Sequence, residues 1–137
     1  MTETTNTRIT TASVWPCFTY RDAPAAIDFL QRAFGLVETA RYGTGDVVEH
    51  AELAWSAGGG VMLGSVRDES VLCETPPGAG SVYLVTDDPD GLYERARAAG
   101  ATMVRGLRDE DYGSRGFTCR DPEGVLWSFG TYTGTPG

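Results

Sequence analysis

The chain contains two similar segments, and each one reads as a strand, a helix and then further strands. In the first, Asp22 begins a helical pattern that ends at Gly35, and in the second, Asp88 begins one that ends at Gly100. Each pattern has an N-cap aspartate, a proline in its first turn and a terminal glycine that can adopt positive φ. The predicted helices span residues 23–34 and 89–99. Two β-α-β-β-β units predict an α+β fold whose curved mixed sheets surround a cleft.

The repeat also predicts how the chain is divided. We expect a single domain at residues 13–133, preceded by a disordered polar tail at residues 1–12. The two units occupy residues 13–66 and 81–132, and residues 67–80 form a linker with two prolines and two glycines near its end.

Composition excludes several classes of partner. The formal charge is −8, from 19 acidic and 11 basic residues, and no basic stripe is visible, so nucleic acid and anionic membrane surfaces are disfavoured. No apolar run approaches the roughly 20 residues of a membrane span, and the polar start does not read as a signal peptide. Cys17, Cys73 and Cys119 form no CxxC pair, which favours reduced thiols and a cytoplasmic location.

Strand alternation separates two faces. Large apolar residues such as Phe18, Leu53 and Trp127 share one face, which we expect to carry the helices. The other face is polar or mixed and carries Trp15, Cys17, Thr19, His50, Glu52, Ser81, Tyr83 and Ser128. Polar side chains such as these are costly to bury without partners, so this second face is predicted to line a cleft.

Several motifs resemble those of a known family. They are the stretch from Arg21 to Leu30 with Phe34-Gly35, His50-Ala51-Glu52-Leu53, Asp87-Asp88, Asp111-Tyr112-Gly113-Ser114-Arg115, Asp121-Pro122-Glu123-Gly124 and Trp127-Ser128-Phe129. The chain resembles the vicinal oxygen chelate superfamily, which includes glyoxalase I, the extradiol dioxygenases and the bleomycin-resistance proteins. The resemblance covers roughly residues 13–133. It implies the paired β-α-β-β-β fold of that family and a homodimer in which each cleft is built by two chains.

The resemblance also locates the positions where metal-dependent members carry their ligands. Here those positions hold Trp15, Glu52, Ser81 and Ser128, so only Glu52 is of a residue type that serves as a metal ligand in the family. His50 is the single histidine of the chain. Because a transition-metal site needs three or four converging donors, we expect neither a metal nor another cofactor.

Two groups on the polar or mixed face are open to a catalytic interpretation. His50 and Glu52 are two residues apart on a strand and share a face, so they could act as a general base and its orienting partner. Alternatively, they hydrogen-bond to water or to a ligand. Cys17 is either a nucleophile or a small buried thiol.

Three other residues are candidates for ligand contact. Trp15 offers a stacking surface, and the alternative is that it belongs to the core. Tyr112 and Arg115 lie in a loop expected to border the cleft. The alternative for Arg115 is a structural salt bridge within the acidic stretch at residues 109–111.

These observations predict a metal-independent binding protein that sequesters an aromatic or amphipathic compound, such as an antibiotic. The predicted partners are that small molecule and a second copy of the chain. The predicted ligand-binding residues are Trp15, Cys17, Thr19, His50, Glu52, Ser81, Tyr83, Tyr112, Arg115 and Ser128. The alternative is a glyoxalase-like lyase or isomerase, or a dioxygenase-related enzyme, acting on a small metabolite with His50 and Glu52 as catalytic candidates.

Overall fold

The computed structural model describes residues 14–67 and 76–134. The first half contains β1 Cys17–Tyr20, α1 Ala23–Phe34, β2 Val37–Thr44, β3 Val47–Ala54 and β4 Gly60–Ser65. The second half contains β5 Ser81–Val85, α2 Pro89–Ala98, β6 Thr102–Asp109, β7 Arg115–Arg120 and β8 Leu126–Gly130. The predicted tail, most of the predicted linker and Cys73 lie outside the described residues.

Both helices begin where the sequence predicts; α1 also ends at the predicted residue, and α2 ends at Ala98, one residue earlier than predicted. The Asp22 carboxylate accepts a hydrogen bond from the Ala25 amide at 3.1 Å, and Gly35 terminates α1 with a φ of 81°. In α2 the Asp88 carboxylate accepts from the Gly91 amide at 3.1 Å. These caps satisfy amide groups that the first turn of a helix leaves without partners.

Each half forms a four-stranded mixed sheet. The strand orders are β1-β4-β3-β2 and β5-β8-β7-β6. In each sheet the first strand pairs in parallel with the last, and the other neighbours are antiparallel. The two sheets therefore repeat one topology, and the predicted pair of β-α-β-β-β units is confirmed.

The first strand is shorter than predicted. The aromatic and β-branched residues from Val14 to Tyr20 predict a strand over that whole range, whereas β1 begins only at Cys17. Pro16 accepts a hydrogen bond from the Met62 amide at 2.9 Å, but proline has no amide hydrogen to donate in return. The regular ladder therefore starts one residue later.

One core joins the two halves. The helix-covered faces of both sheets contribute to it, together with α1 and α2. Phe18 of the first sheet contacts Trp127 of the second at a ring-centroid distance of 5.8 Å, and Trp55 contacts Phe129 at 5.9 Å. Because the sheets meet through their covered faces, their opposite faces point outward from the shared core.

Polar contacts near both ends of the seam help to hold the halves together. The Trp55 indole nitrogen donates to the Val85 carbonyl at 2.9 Å. At the other end of the seam, the Glu123 carboxylate accepts from the amides of Arg21 at 2.7 Å and Asp22 at 2.8 Å. The β3–β4 turn of the first half and the β7–β8 turn of the second half therefore each bind the end of the strand that precedes the helix of the other half.

The lengths of the helices also bear on membrane insertion. Within residues 14–67 and 76–134, neither helix has the length and apolar character that a membrane span requires.

Candidate functional site

The outward side of the first sheet, here called the first open face, carries half of the predicted site residues. One row across the strands consists of Cys17, Met62, Glu52 and Ala40, which are paired in register. Strand alternation places Thr19, His50 and Tyr42 on the same side, and Trp15 lies just before β1, two residues from Cys17. The residues between them, including Phe18, Ala51 and Leu53, are buried in the core. The predicted division into a covered face and a polar face is thus what the first sheet displays.

His50 and Glu52 form a hydrogen-bonded pair on this face. His50 Nε2 lies 2.8 Å from Glu52 Oε2, and the two side chains are 39% and 32% exposed. The Tyr42 ring stacks on the imidazole at a centroid distance of 6.2 Å. Because the carboxylate orients the ring through Nε2, Nδ1 is the nitrogen left to exchange a proton with a bound molecule.

Trp15 and Cys17 lie at the start of the same face. Cys17 is exposed, and its thiol donates weakly to the Trp15 carbonyl at 3.6 Å. The alternative of a buried Cys17 thiol is therefore not what the structure has. Trp15 is half-buried and is not among the described residues that pack against the core. Its placement favours the open face over the core, and its contact with a ligand stays a prediction.

The second open face, on the outward side of the second sheet, has an equivalent row. It consists of Tyr83, Ser128, Thr118 and Arg105, again paired in register. Cys17 and Tyr83 are equivalent in the two rows, because each lies five residues before its N-cap aspartate. Ser81 is exposed on the same side at the start of β5.

A pocket of about 160 Å³ opens on the second face. Its floor holds Thr118 and Ser128, whose hydroxyl oxygens are 2.9 Å apart. Tyr83 donates its hydroxyl to the Tyr132 carbonyl at 2.7 Å, and partial burial raises the pKa of Tyr83, so this group remains a donor at neutral pH. Tyr112, 65% exposed, lines the pocket as well. The pocket thus combines two tyrosine rings with the hydroxyl groups of Thr118 and Ser128.

Arg105 also lines this pocket, although the sequence pattern did not indicate it. In a regular strand it would share a face with Met103 and Leu107, which pack against the core. The register of β6 against β7 shifts on both sides of Arg105, between Met103 and Arg105 and again between Arg105 and Arg108. Such bulges re-aim side chains, and here the one between Met103 and Arg105 brings Arg105 opposite Thr118 on the open face.

Arg115 is placed differently from the prediction. It has the parity of Phe117 and Cys119, which are buried, and its guanidinium lies on the helix side of the sheet. It binds Asp90 of α2 at 2.8 and 3.1 Å and Asp109 at 3.3 Å. Its hydrogen bonds to Asp90 raise the pKa of Arg115 and lower that of Asp90. Arg115 therefore forms a structural salt bridge, but its shorter bonds are to Asp90 and only the contact with Asp109 lies within the predicted acidic stretch. Tyr112 from the same loop does reach the pocket.

The residues of the open faces do not fit a transition metal. Trp15 and Ser81 offer no strong ligand, and the Ser128 hydroxyl is hydrogen-bonded to Thr118. Glu52, the one carboxylate at these positions, is paired with His50. Across the described ranges, no three His, Cys, Asp or Glu side chains are grouped so that they could hold a metal ion. The expectation of a metal-free protein stays a prediction that chemical analysis must test.

A larger cavity, about 590 Å³, lies away from both open faces. It is found at the seam, where Trp55 and the loop after β3 approach the start of α2, and Asp87, Asp88 and Arg95 line it. The Arg95 guanidinium is already occupied by the carbonyls of Arg32 and Gln31 at the end of α1. None of the predicted site residues lines this cavity, so its size alone does not make it the binding site.

Similarity to known proteins agrees with this architecture. Residues 13–129 match the family model described as the glyoxalase/bleomycin resistance protein/dioxygenase superfamily. Uncharacterized protein Rv0887c of Mycobacterium tuberculosis is 37% identical over 118 residues, which cover 80% of this chain and 68% of that protein. Uncharacterized protein Mb0911c of Mycobacterium bovis has the same identity, with 76% of its length covered.

Solved structures show the same relationship. TioX from Micromonospora sp. ML1 is 31% identical and superposes with a TM-score of 0.72, covering 86% of this chain and 98% of that one. Integron cassette protein VCH_CASS1 from the mobile metagenome of V. cholerae is 20% identical, with a TM-score of 0.67 and coverage of 91% and 99%, and shares the fold. The chain therefore belongs to the glyoxalase/bleomycin resistance protein/dioxygenase superfamily.

Proposed function

We propose that this chain is a small-molecule binding protein that sequesters an aromatic or amphipathic compound, such as an antibiotic, without a metal and without turnover. The observation that carries the proposal is the pocket on the second open face. Two tyrosine rings border it, and Ser128, at a position where metal-dependent relatives carry a ligand, is engaged with Thr118 at 2.9 Å. Such a surface provides stacking and hydrogen bonding, but it lacks the ligand set of metal-assisted chemistry.

We further propose that the functional unit is a homodimer. A pocket of about 160 Å³ is smaller than the roughly 300–1,000 Å³ of typical ligand sites. The two open faces of one chain point away from each other, so a single chain does not enclose a ligand between them. Apposing the first open face of one chain to the second open face of another would complete two equivalent clefts.

Mixing two variants tests the shared cleft. A Trp15→Ala chain and a Tyr112→Ala chain should each bind poorly as homodimers. In a mixed dimer one cleft carries both substitutions and the other carries neither, so about half of the sites of each mixed dimer should regain wild-type affinity. If mixing restores no binding although mass spectrometry shows mixed dimers, the cleft is not shared between chains.

Ligand capture is tested by a thermal-shift screen with antibiotics and aromatic metabolites, followed by quenching of tryptophan fluorescence. Trp15→Ala should weaken binding of an identified ligand about tenfold or more, because it removes both stacking and buried area. Val14→Ala is the matched control, since Val14 is the neighbouring residue, lies outside β1 and is 81% exposed. Unchanged affinity in Trp15→Ala would remove Trp15 from the site.

Metal independence has its own test. Elemental analysis of protein purified without chelator should find far less than one metal ion per chain. Stoichiometric nickel, zinc or iron that disappears in Glu52→Ala would contradict the proposal.

The second candidate function is a metal-independent lyase or isomerase, and the His50–Glu52 pair at 2.8 Å favours it. In that case His50→Ala should abolish turnover of an identified substrate while leaving its binding intact. Glu52→Gln, which keeps the shape but not the charge that orients the imidazole, should lower the rate to a smaller extent. Such a result would replace sequestration by catalysis.

A further inference from the structure

Arg105 occupies a distinctive place on the second open face. It ends the row that begins at Tyr83 and continues through Ser128 and Thr118, and it is the cation nearest to the two hydroxyl groups in register. The register shift between Met103 and Arg105 is needed to present it there. The equivalent end of the row on the first open face is Ala40, so this charge distinguishes the two faces.

Two other charged groups near the pocket, Glu110 and Arg115, are already paired. Arg108 binds the Glu110 carboxylate at 2.8 and 3.3 Å, which, with a smaller contribution from Arg105, lowers the pKa of Glu110. Arg115 is held by Asp90 and Asp109 on the other side of the sheet. By contrast, Arg105 makes no hydrogen bond or ion pair with any residue of the ranges 14–67 and 76–134.

Two ionised side chains line the pocket, Arg105 and Glu110. The Glu110 carboxylate is already bound by Arg108, which lies outside the lining, so Arg105 is the lining charge that remains to meet a ligand. The net charge of −8 is spread over the whole chain, and at physiological ionic strength its field is screened beyond about 8 Å. A ligand in contact with Arg105 thus meets a cation that offers up to five hydrogen-bond donors.

We propose that the pocket on the second open face binds planar aromatic anions, with the anionic group on Arg105 and the aromatic ring against Tyr83 and Tyr112. Thr118 and Ser128 exchange hydrogen bonds with polar substituents between these two ends. The proposal rests on the proposed binding function and narrows its ligand to a chemical class. A carboxylate is the simplest such anion, because it matches the planar fork of the guanidinium.

A matched pair of probes isolates the charge. 1-Naphthoate and 1-naphthamide have nearly the same size and shape, but only the first is anionic. Isothermal titration calorimetry of the full-length chain should show that 1-naphthoate binds about tenfold or more tightly than 1-naphthamide. Arg105→Gln should abolish that preference by lowering the affinity for 1-naphthoate far more than that for 1-naphthamide. Arg105→Lys should retain part of the preference because the charge remains without the fork.

Arg21→Gln is the control for net charge. Arg21 is exposed in the first half, away from the pocket, and the hydrogen bond that it gives Glu123 comes from its backbone amide. This variant loses the same charge and should keep the full preference for 1-naphthoate. Circular dichroism and thermal midpoints establish that all three variants are folded.

The possible outcomes separate this inference from the proposed function. Equal affinity for the two probes in the wild type, or a preference that survives Arg105→Gln, overturns the assignment of an anion to Arg105. If Tyr112→Ala then weakens both probes, aromatic binding at the pocket survives and only the charge preference falls. If neither probe binds, or if Tyr112→Ala changes neither affinity, the second open face is not the site and the inference falls with it.

Discussion

Replacing Asp121 by asparagine tests how the two halves are held together. Asp121 is 4% exposed, and its carboxylate accepts four hydrogen bonds. Oδ2 accepts from the Tyr20 hydroxyl at 2.5 Å and from the Trp127 indole nitrogen at 3.0 Å. Oδ1 accepts from the amides of Glu123 at 3.0 Å and Val125 at 3.1 Å. The first of these bonds links the second half to β1, so the carboxylate supports both a turn and the seam.

Asparagine has the same shape but only one accepting oxygen. In either orientation its NH2 group faces two donors that the carboxylate satisfied. The Tyr20 hydroxyl can rotate and accept, but the Trp127 indole and the two backbone amides can only donate. A buried donor without an acceptor costs about 1–3 kcal/mol, and the remaining bonds lose the strength that the ionised acceptor gave them. We therefore expect the free energy of unfolding to fall by about 2–4 kcal/mol.

Urea unfolding followed by tryptophan fluorescence and far-ultraviolet circular dichroism measures this loss. A decrease of that size corresponds to a fall in Tm of roughly 6–14 °C for a domain of this length. Asp28→Asn is the matched control, since Asp28 is 68% exposed and forms only a surface pair with Arg32, and it should cost less than about 0.5 kcal/mol. Tyr20→Phe, which removes one of the four donors, should cost about 1 kcal/mol. If Asp121→Asn costs no more than Asp28→Asn, the carboxylate does not hold the seam as argued.

Two further predictions concern the buried side chains of Tyr20 and Cys119. Burial, reinforced by the negative charge of Asp121, raises the pKa of Tyr20 above its ordinary 10.0 and that of Cys119 from 9.0 to about 12. Because the folded state holds these protons more tightly, the free energy of unfolding is undiminished below the unfolded pKa values and should fall above about pH 9. Urea titrations at pH 8 and pH 10.5 measure this fall, which should be smaller in Cys119→Ala. In a Cys73→Ser background, a disulfide reagent at pH 8 should modify exposed Cys17 rapidly and Cys119 only on unfolding; equal rates would contradict the burial of Cys119.

The sequence predicted the helices and the topology because their signals are local. Asp22 caps α1 through an amide three residues away, and Gly35 ends the helix through its own φ. The side of the sheet on which Arg115 lies could also have been predicted from the sequence, since strand alternation from buried Phe117 and Cys119 puts it on the helix side. Treating it as part of a loop, rather than as the first residue of β7, obscured that signal.

Arg105 and the seam could not be predicted in this way. Counting residues along β6 places Arg105 with Met103, and only the pairing with β7 shows that the strand is bulged on either side of it. The contacts of Glu123 with Arg21 and Asp22 join residues about one hundred positions apart. Long-range register and contacts between halves depend on packing that periodicity does not encode.

The seam gives a physical reason for the Asp-Pro-x-Gly turn that most clearly indicated the family. Asp121 orders the turn and reaches Tyr20, while Glu123 satisfies amides at the start of α1. These contacts lie on the covered side of the sheets, so the motif supports the fold and does not contact the open faces. The rows on those faces are correspondingly free to differ, with a glutamate in the first and an arginine in the second. Family membership therefore follows from residues that hold the halves together, whereas ligand preference must be sought in residues such as Arg105 that the motif leaves unconstrained.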